Sequence, residues 1–104
     1  YSMLLDIRNA VMKSPEASPA LSQAAKRLCV SEGYFRAVYK QCFGASYTQD
    51  CIGARVLKAC YLLMTTAMSV YAVAVSCGYD DEKYFARQFR QYTGYSPMQY
   101  RGRV

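Results

Sequence analysis

The stretch AVSCGYDDEKYFARQFRQYTGYSPMQYR (residues 74–101) contains two helical patterns separated by a tight glycine turn. Ser69 is a good cap for a short helix that places Val70, Val73, Ala74 and Cys77 on one face, and Gly78 ends it. The acidic run Asp80-Asp81-Glu82 then opens a second helix, because carboxylates favour the exposed N–H groups and positive dipole end of a helix start. Phe85, Phe89 and Tyr92 line the inner side of that helix. With the phenylalanines inward, Lys83, Arg87 and Arg90 share the opposite face at spacings of four and three. Ser96-Pro97 starts a last turn or two that runs through Arg101.

Displacing the chain by 50 residues brings Tyr34, Phe35, Gln41, Gly44 and Ser46 onto Tyr84, Phe85, Gln91, Gly94 and Ser96. Tyr39 and Lys40 then meet Phe89 and Arg90. Upstream of the turn the better offset is 49, pairing Ala25, Leu28 and Val30 with Ala74, Cys77 and Tyr79, so the second turn carries one extra residue. The chain therefore holds a duplicated unit. Each copy is a short helix with alanine at its contact face, a tight turn, and a second helix with an aromatic anchor in its first turn. That is the helix-turn-helix pattern.

The rest of the chain fits around these copies. Leu4, Ile7 and Val11 give a short amphipathic helix over Met3–Met12, with Asp6 and Arg8 outside, ending before Pro15. Ser18-Pro19 reads as an N-cap and first helical residue, with Leu21, Ala24, Ala25 and Leu28 forming the apolar stripe up to about Cys29. After Ser31, another cap, Phe35, Val38, Tyr39 and Cys42 repeat the helical spacing as far as Gly44. Ser46 and Gln49 form a capping box ahead of a long helix from Tyr47 to about Thr65, whose buried line is Ile52, Val56, Ala59 and Leu63. Such a helix is about 28 Å long. The expected fold is all-α, with about seven helices in one domain: a helix-turn-helix over about 18–45, a connector over about 47–66, and a second helix-turn-helix over about 69–94.

With 104 residues, 53% of them hydrophobic, the chain is long enough for one compact core. Lys and Arg outnumber Asp and Glu by 13 to 7, and Lys83, Arg87, Arg90, Arg101 and Arg103 follow Glu82 with no acid among them. A basic face there suits a polyanion, because neutralising phosphates releases condensed counterions. There is no histidine, which removes the commonest general base and the Ser-His and Cys-His nucleophile pairs. No glycine-rich phosphate loop is present. The acidic triplet is read as a helix cap rather than a cation site. No catalytic residue, metal or cofactor is therefore expected. The five cysteines form no C-x-x-C pair and suit reduced, mostly buried thiols in the cytoplasm. No apolar run approaches the roughly 18 residues of a membrane span, so no membrane partner is expected. The first residue is Tyr1 and not Met, so the chain is expected to be a piece of a longer polypeptide.

Residues 74–101 resemble the C-terminal signature of the AraC/XylS family of bacterial transcription regulators: the alanine, the glycine-aromatic pair, Tyr-Phe, a basic residue, Phe, Gly, Ser-Pro and the final Tyr-Arg. AAKRLCVSEGYFRAVYKQCFGAS (residues 24–46) is similar to that family's first unit, and Arg55 stands at the basic position of its connector helix. The resemblance implies two recognition helices entering successive major grooves on one face of double-stranded DNA, about 34 Å apart. Carried over by position, the base-reading residues are Arg36 in the first unit and Lys83 and Arg87 in the second, with Glu82 placed to accept from cytosine. Lys40, Arg55 and Arg90 are placed for phosphates. Gly33 departs from the pattern, since it has no side chain where relatives often carry a base-contacting one. Either Arg36 reads nearly alone in that unit, the favoured expectation, or Gly33 lets the backbone approach more closely. The resemblance also admits activation, RNA polymerase as a second partner, and a dimer formed through an N-terminal domain. The alternative from another class is a helical interaction module whose cations meet an acidic protein such as a polymerase subunit.

Overall fold

The computed structural model describes residues 1–102; Arg103, expected on the basic face, lies outside the described residues. Seven α-helices follow one another: α1 (Ser2–Lys13), α2 (Leu21–Arg27), α3 (Glu32–Phe43), α4 (Tyr47–Thr65), α5 (Val70–Ser76), α6 (Glu82–Thr93) and α7 (Pro97–Gly102), with a 3-10 turn at Pro15–Ala17. No strand occurs among the described residues. The chain divides into two compact units, Tyr1–Cys51 and the part from Ile52 onward. The fold class is as expected: each unit contains a helix-turn-helix, α2-α3 in the first and α5-α6 in the second.

In the first unit Leu4, Ile7 and Val11 of α1 are buried, as are Ala24 and Ala25 of α2, Phe35 and Tyr39 of α3, and Tyr47 at the start of α4. The aromatic rings form one cluster: Phe35 and Tyr39 each meet Tyr47 at 5.4 Å, and Tyr39 meets Phe43 at 4.7 Å, all edge-on. Tilted contacts of this kind add to the area they remove from water. The Tyr47 hydroxyl donates to the Pro19 carbonyl at 2.7 Å. That bond corrects the expected start of α2. Ser18 spends its hydroxyl on the Pro15 carbonyl, closing the 3-10 turn, and Pro19 stays outside the helix, so the N-cap is Ala20 and has no side-chain bond.

The second unit is built around Val56, Ala59 and Leu63 of α4, Val73, Ala74 and Cys77 of α5, Tyr79, and Phe85 and Phe89 of α6. Its caps follow the sequence reading. Ser69 accepts from the Ala72 N–H and Asp81 from the Lys83 N–H, which gives the acidic run its capping role. In the first unit Ser46 and Gln49 form the expected reciprocal box, and in the second Ser96 and Gln99 form another fifty residues on. Gly44 and Gly94 end α3 and α6 in the left-handed region.

The two turns are hydrogen-bonded alike. The N–H groups of Leu28 and Val30 reach the Ala25 carbonyl at 3.1 and 3.2 Å, as those of Cys77 and Tyr79 reach Ala74 at 3.1 and 3.0 Å. This is the 49-residue offset realised in backbone bonds, with Asp80 the extra residue.

Other expectations need correction. Cys42 is exposed, because α3 buries Phe35 and Tyr39, with half-buried Phe43 continuing their stripe at a spacing of four, and turns Cys42 outward. Tyr92 is likewise exposed, though its ring lies over Gly53 of α4. Among the cysteines, all free, Cys77 alone is buried and Cys29 and Cys42 are exposed. Arg8 is half-buried rather than free on the outside: it pairs with Asp50 at 3.2 Å and lies over the Phe43 ring.

Candidate nucleic-acid interface

α6 is held from beneath by Phe85 and Phe89, both fully buried, so its outer face is fixed relative to the core. On that face Lys83, Arg87 and Arg90 are exposed, as is Glu82 in the first turn. None of the three cations enters an ion pair among the described residues. Three exposed cations along one helical line, backed by a packed core, have the charge and reach to neutralise phosphates or meet base edges.

Arg101 was expected on the same basic face and is placed elsewhere. Its guanidinium donates to the Leu63 carbonyl at 3.2 Å and the Thr66 carbonyl at 3.4 Å, satisfying orphan acceptors at the end of α4. Lys58 does the same for α5 by donating to the Ser76 carbonyl at 2.8 Å. Cations that cap carbonyls in this way are withdrawn from the surface charge that a polyanion would meet.

Arg55 lies with its guanidinium 5.6 Å from the centre of the Tyr79 ring. It lines a groove of 420 Å³ with Gly78, Asp80, Asp81, Tyr84 and Arg87. Thus the structure brings Arg55 and Arg87, assigned above to phosphate and base, to one groove beside the turn. Tyr79 is buried, and burial pushes its hydroxyl up to about 12.

In the first unit α3 exposes Arg36 and Lys40. Lys40 stands at the place of Arg90, but Arg36 does not stand at the place of Arg87. By the 50-residue offset Arg36 matches Ala86, while Gly33 and Ala37 occupy the lines of Lys83 and Arg87. A Cβ added at Gly33 would have nothing within 4 Å, so this glycine is not required by packing. α3 is therefore smooth at the two positions where α6 carries Lys83 and Arg87.

Residues 24–103 match the model of a helix-turn-helix domain family. The chain is similar to the arabinose operon regulatory protein of Escherichia coli K12, with 32% identity over 81 residues that cover 78% of the chain and 28% of that protein. It spans about a third of the length of the curated relatives it matches. Among solved structures it resembles the C-terminal domain of AraT, a response regulator from Geobacillus stearothermophilus, at 30% identity and a TM-score of 0.91, covering all of this chain and 87% of that one. It also resembles the DNA-binding domain of AdpA, a global transcriptional factor solved with a target DNA, at 28% identity and a TM-score of 0.88, covering 96% and 90%. No helix among the described residues is long and apolar enough to cross a membrane. The match over residues 24–103, two helix-turn-helix units with like-bonded turns and the likeness to AraT and AdpA agree with the signature read in the sequence: the chain belongs to the AraC/XylS family of helix-turn-helix transcription regulators.

Proposed function

We propose that this chain is the part of a bacterial transcription regulator that binds double-stranded DNA by sequence, each of α3 and α6 entering a major groove. The observation that carries this is the outer face of α6, where Lys83, Arg87 and Arg90 are exposed, and unpaired among the described residues, on a helix fixed by Phe85 and Phe89. A helix of about 10–12 Å diameter fits a major groove of about 12 Å. Lys83 and Arg87 then read bases, with Glu82 beside them for a cytosine amino group, and Arg36 is the reading residue of α3. Lys40, Arg55 and Arg90 hold phosphates. The relatives are regulators rather than enzymes, and no catalytic role is assigned to any residue here.

We also take the whole protein to be a cytoplasmic activator, with RNA polymerase as a second partner and dimerisation through parts of the protein outside this chain. Selection of bound sites from random duplexes tests the central reading. It should return a site in which the base pairs facing α6 are more sharply defined than those facing α3. Recovery of duplexes with no shared sequence would favour instead an interaction module for an acidic protein.

A further inference from the structure

In the second unit a chain of hydrogen bonds with a fixed direction links Tyr79 to two side chains of α6. The Tyr79 hydroxyl donates to Gln88 Oε1 at 2.6 Å, and Gln88 Nε2 donates to the Tyr84 hydroxyl oxygen at 2.8 Å. A carbonyl oxygen can only accept and an amide nitrogen can only donate, so neither link can be reversed without turning the amide over. Tyr79 is buried against Phe85 and under Arg55 and keeps its proton, so it sets the direction from the inside. Having accepted from Gln88, the Tyr84 oxygen retains its own proton for an outside acceptor. No acceptor on the protein takes that proton among the described residues.

Tyr84 is 47% exposed and lines the same groove as Arg55 and Arg87. It is three residues before Arg87 and one after Lys83, which at 3.6 residues per turn puts it about 60° round α6 from the first and about 100° from the second. With a helix nearly as wide as the groove it occupies, a side chain on that flank meets the sugar-phosphate wall rather than the base edges. Resting on the DNA-binding reading above, we propose that the Tyr84 hydroxyl donates to a backbone phosphate of the bound duplex, and that Gln88 is the positioning residue that turns its proton outward.

The first unit supplies an internal control. Tyr34 occupies the matching place and is 53% exposed, but Val38 stands where Gln88 does and Val30 where Tyr79 does. Among the described residues no side chain hydrogen-bonds to the Tyr34 hydroxyl.

The experiment uses the duplex returned by site selection. Tyr84→Phe should weaken binding roughly tenfold, as expected for a hydrogen bond to a charged acceptor, and Tyr34→Phe less than about twofold. The Tyr84→Phe loss should be the same for every single-base variant of the site and leave the salt dependence unchanged, because a neutral hydroxyl releases no counterion. It should disappear on a duplex carrying a neutral methylphosphonate at one backbone position. In a Gln88→Glu background the carboxylate accepts from both tyrosines and consumes the Tyr84 proton while keeping Tyr79 bonded. There Tyr84→Phe should cost less than about twofold, a coupling that a merely structural glutamine would not show. A Tyr84→Phe loss under about twofold, confined to one base pair, or persisting on every methylphosphonate duplex overturns the inference while leaving DNA binding intact. An equal loss in the Gln88→Glu background removes the role of Gln88. If the unaltered chain prefers no duplex, the reading beneath falls and this inference with it.

Discussion

Tyr39 in the first unit and Phe89 in the second occupy the same place in the repeat, yet their neighbours differ in kind. The Tyr39 ring is fully buried, and its hydroxyl donates to Asp50 at 2.6 Å. Asp50 in turn accepts from Arg8 at 3.2 Å, and Arg8 lies over Phe43. Burial and the carboxylate beside it push the Tyr39 hydroxyl above its ordinary range, and the same carboxylate raises Arg8. Fifty residues on, Phe89 has no polar atom, and Tyr100 stands where Asp50 does, edge-on to the ring at 5.4 Å. At this place one copy closes its core with a polar network that also fastens α1, and the other with two rings set edge-on, Phe89 and Tyr100. A buried polar network is costly to leave half satisfied, whereas an apolar contact loses only what is removed.

The largest expected effect breaks this comparison at its centre. Asp50→Ala leaves the Tyr39 hydroxyl buried without an acceptor and should lower stability by about 2–3 kcal/mol in urea unfolding. Tyr100→Phe, at the matching place, removes a hydroxyl whose contacts are sulfur atoms, the Met64 Sδ at 3.6 Å and the Cys60 thiol, and should cost less than about 0.5 kcal/mol. Equal losses would mean that the two closures are energetically alike.

The recognition helices should differ in the opposite sense, with the second unit the more demanding. Arg87→Ala should cost about 1–3 kcal/mol in binding and relax preference at one base pair. Arg36→Ala should relax preference less, since it stands off the line that Arg87 occupies. Arg90→Ala should weaken all sequences alike and lower the salt slope by about 1. Affinities measured over single-base variants at several salt concentrations separate the three. A uniform loss for Arg87→Ala would move that residue from the bases to the phosphates.

Much of this architecture was legible in the residues because the signals were local. Caps at Ser31, Ser46, Ser69 and Asp81, glycines at helix ends and the spacing of Leu4, Ile7 and Val11 are each decided within one or two turns of chain. The duplication made the helix-turn-helix visible twice. What stayed hidden depends on partners far apart in sequence. Arg8 and Asp50, Arg101 and Leu63, and Tyr47 and Pro19 meet only once the helices pack, so Arg8 and Arg101 read as surface cations when they are fastenings. Ser18 misled for a related reason, since a serine before a proline also suits the end of a 3-10 turn. The order Tyr79, Gln88, Tyr84 was invisible as well, because direction in a hydrogen-bond chain is a property of geometry and not of spacing.

The turns offer a finer contrast. Cys29 has φ +58° and Gly78 has φ +93° at the matching place, so the first copy holds a side chain in the left-handed region that the second leaves to glycine. For a residue with a Cβ this region costs about 1–2 kcal/mol, partly offset by the greater freedom glycine loses on folding. Cys29→Gly should therefore raise stability by about 0.5–1 kcal/mol, and Gly78→Ala should lower it by about 1 kcal/mol. If Cys29→Gly were destabilising, the turn of the first copy would owe its conformation to contacts of the cysteine side chain.

The smallest effect bears on why α3 is smooth. Gly33 is the second residue of that helix, its added Cβ would meet nothing within 4 Å, and no positive φ requires a glycine there. Replacing it with alanine should raise stability by about 0.5 kcal/mol, less than the full interior difference because it lies in the first turn. DNA affinity then decides between the two roles the sequence left open. If Arg36 reads nearly alone, Gly33→Ala leaves binding within about twofold, and Gly33→Lys, which supplies the counterpart of Lys83, raises the salt slope by about 1 if the new ammonium meets a phosphate. If the glycine instead lets the α3 backbone approach the duplex, a single methyl group obstructs it, and Gly33→Ala weakens binding while stabilising the fold. Opposite signs in stability and affinity would place the backbone of α3, rather than Arg36, at the centre of the first unit's contact.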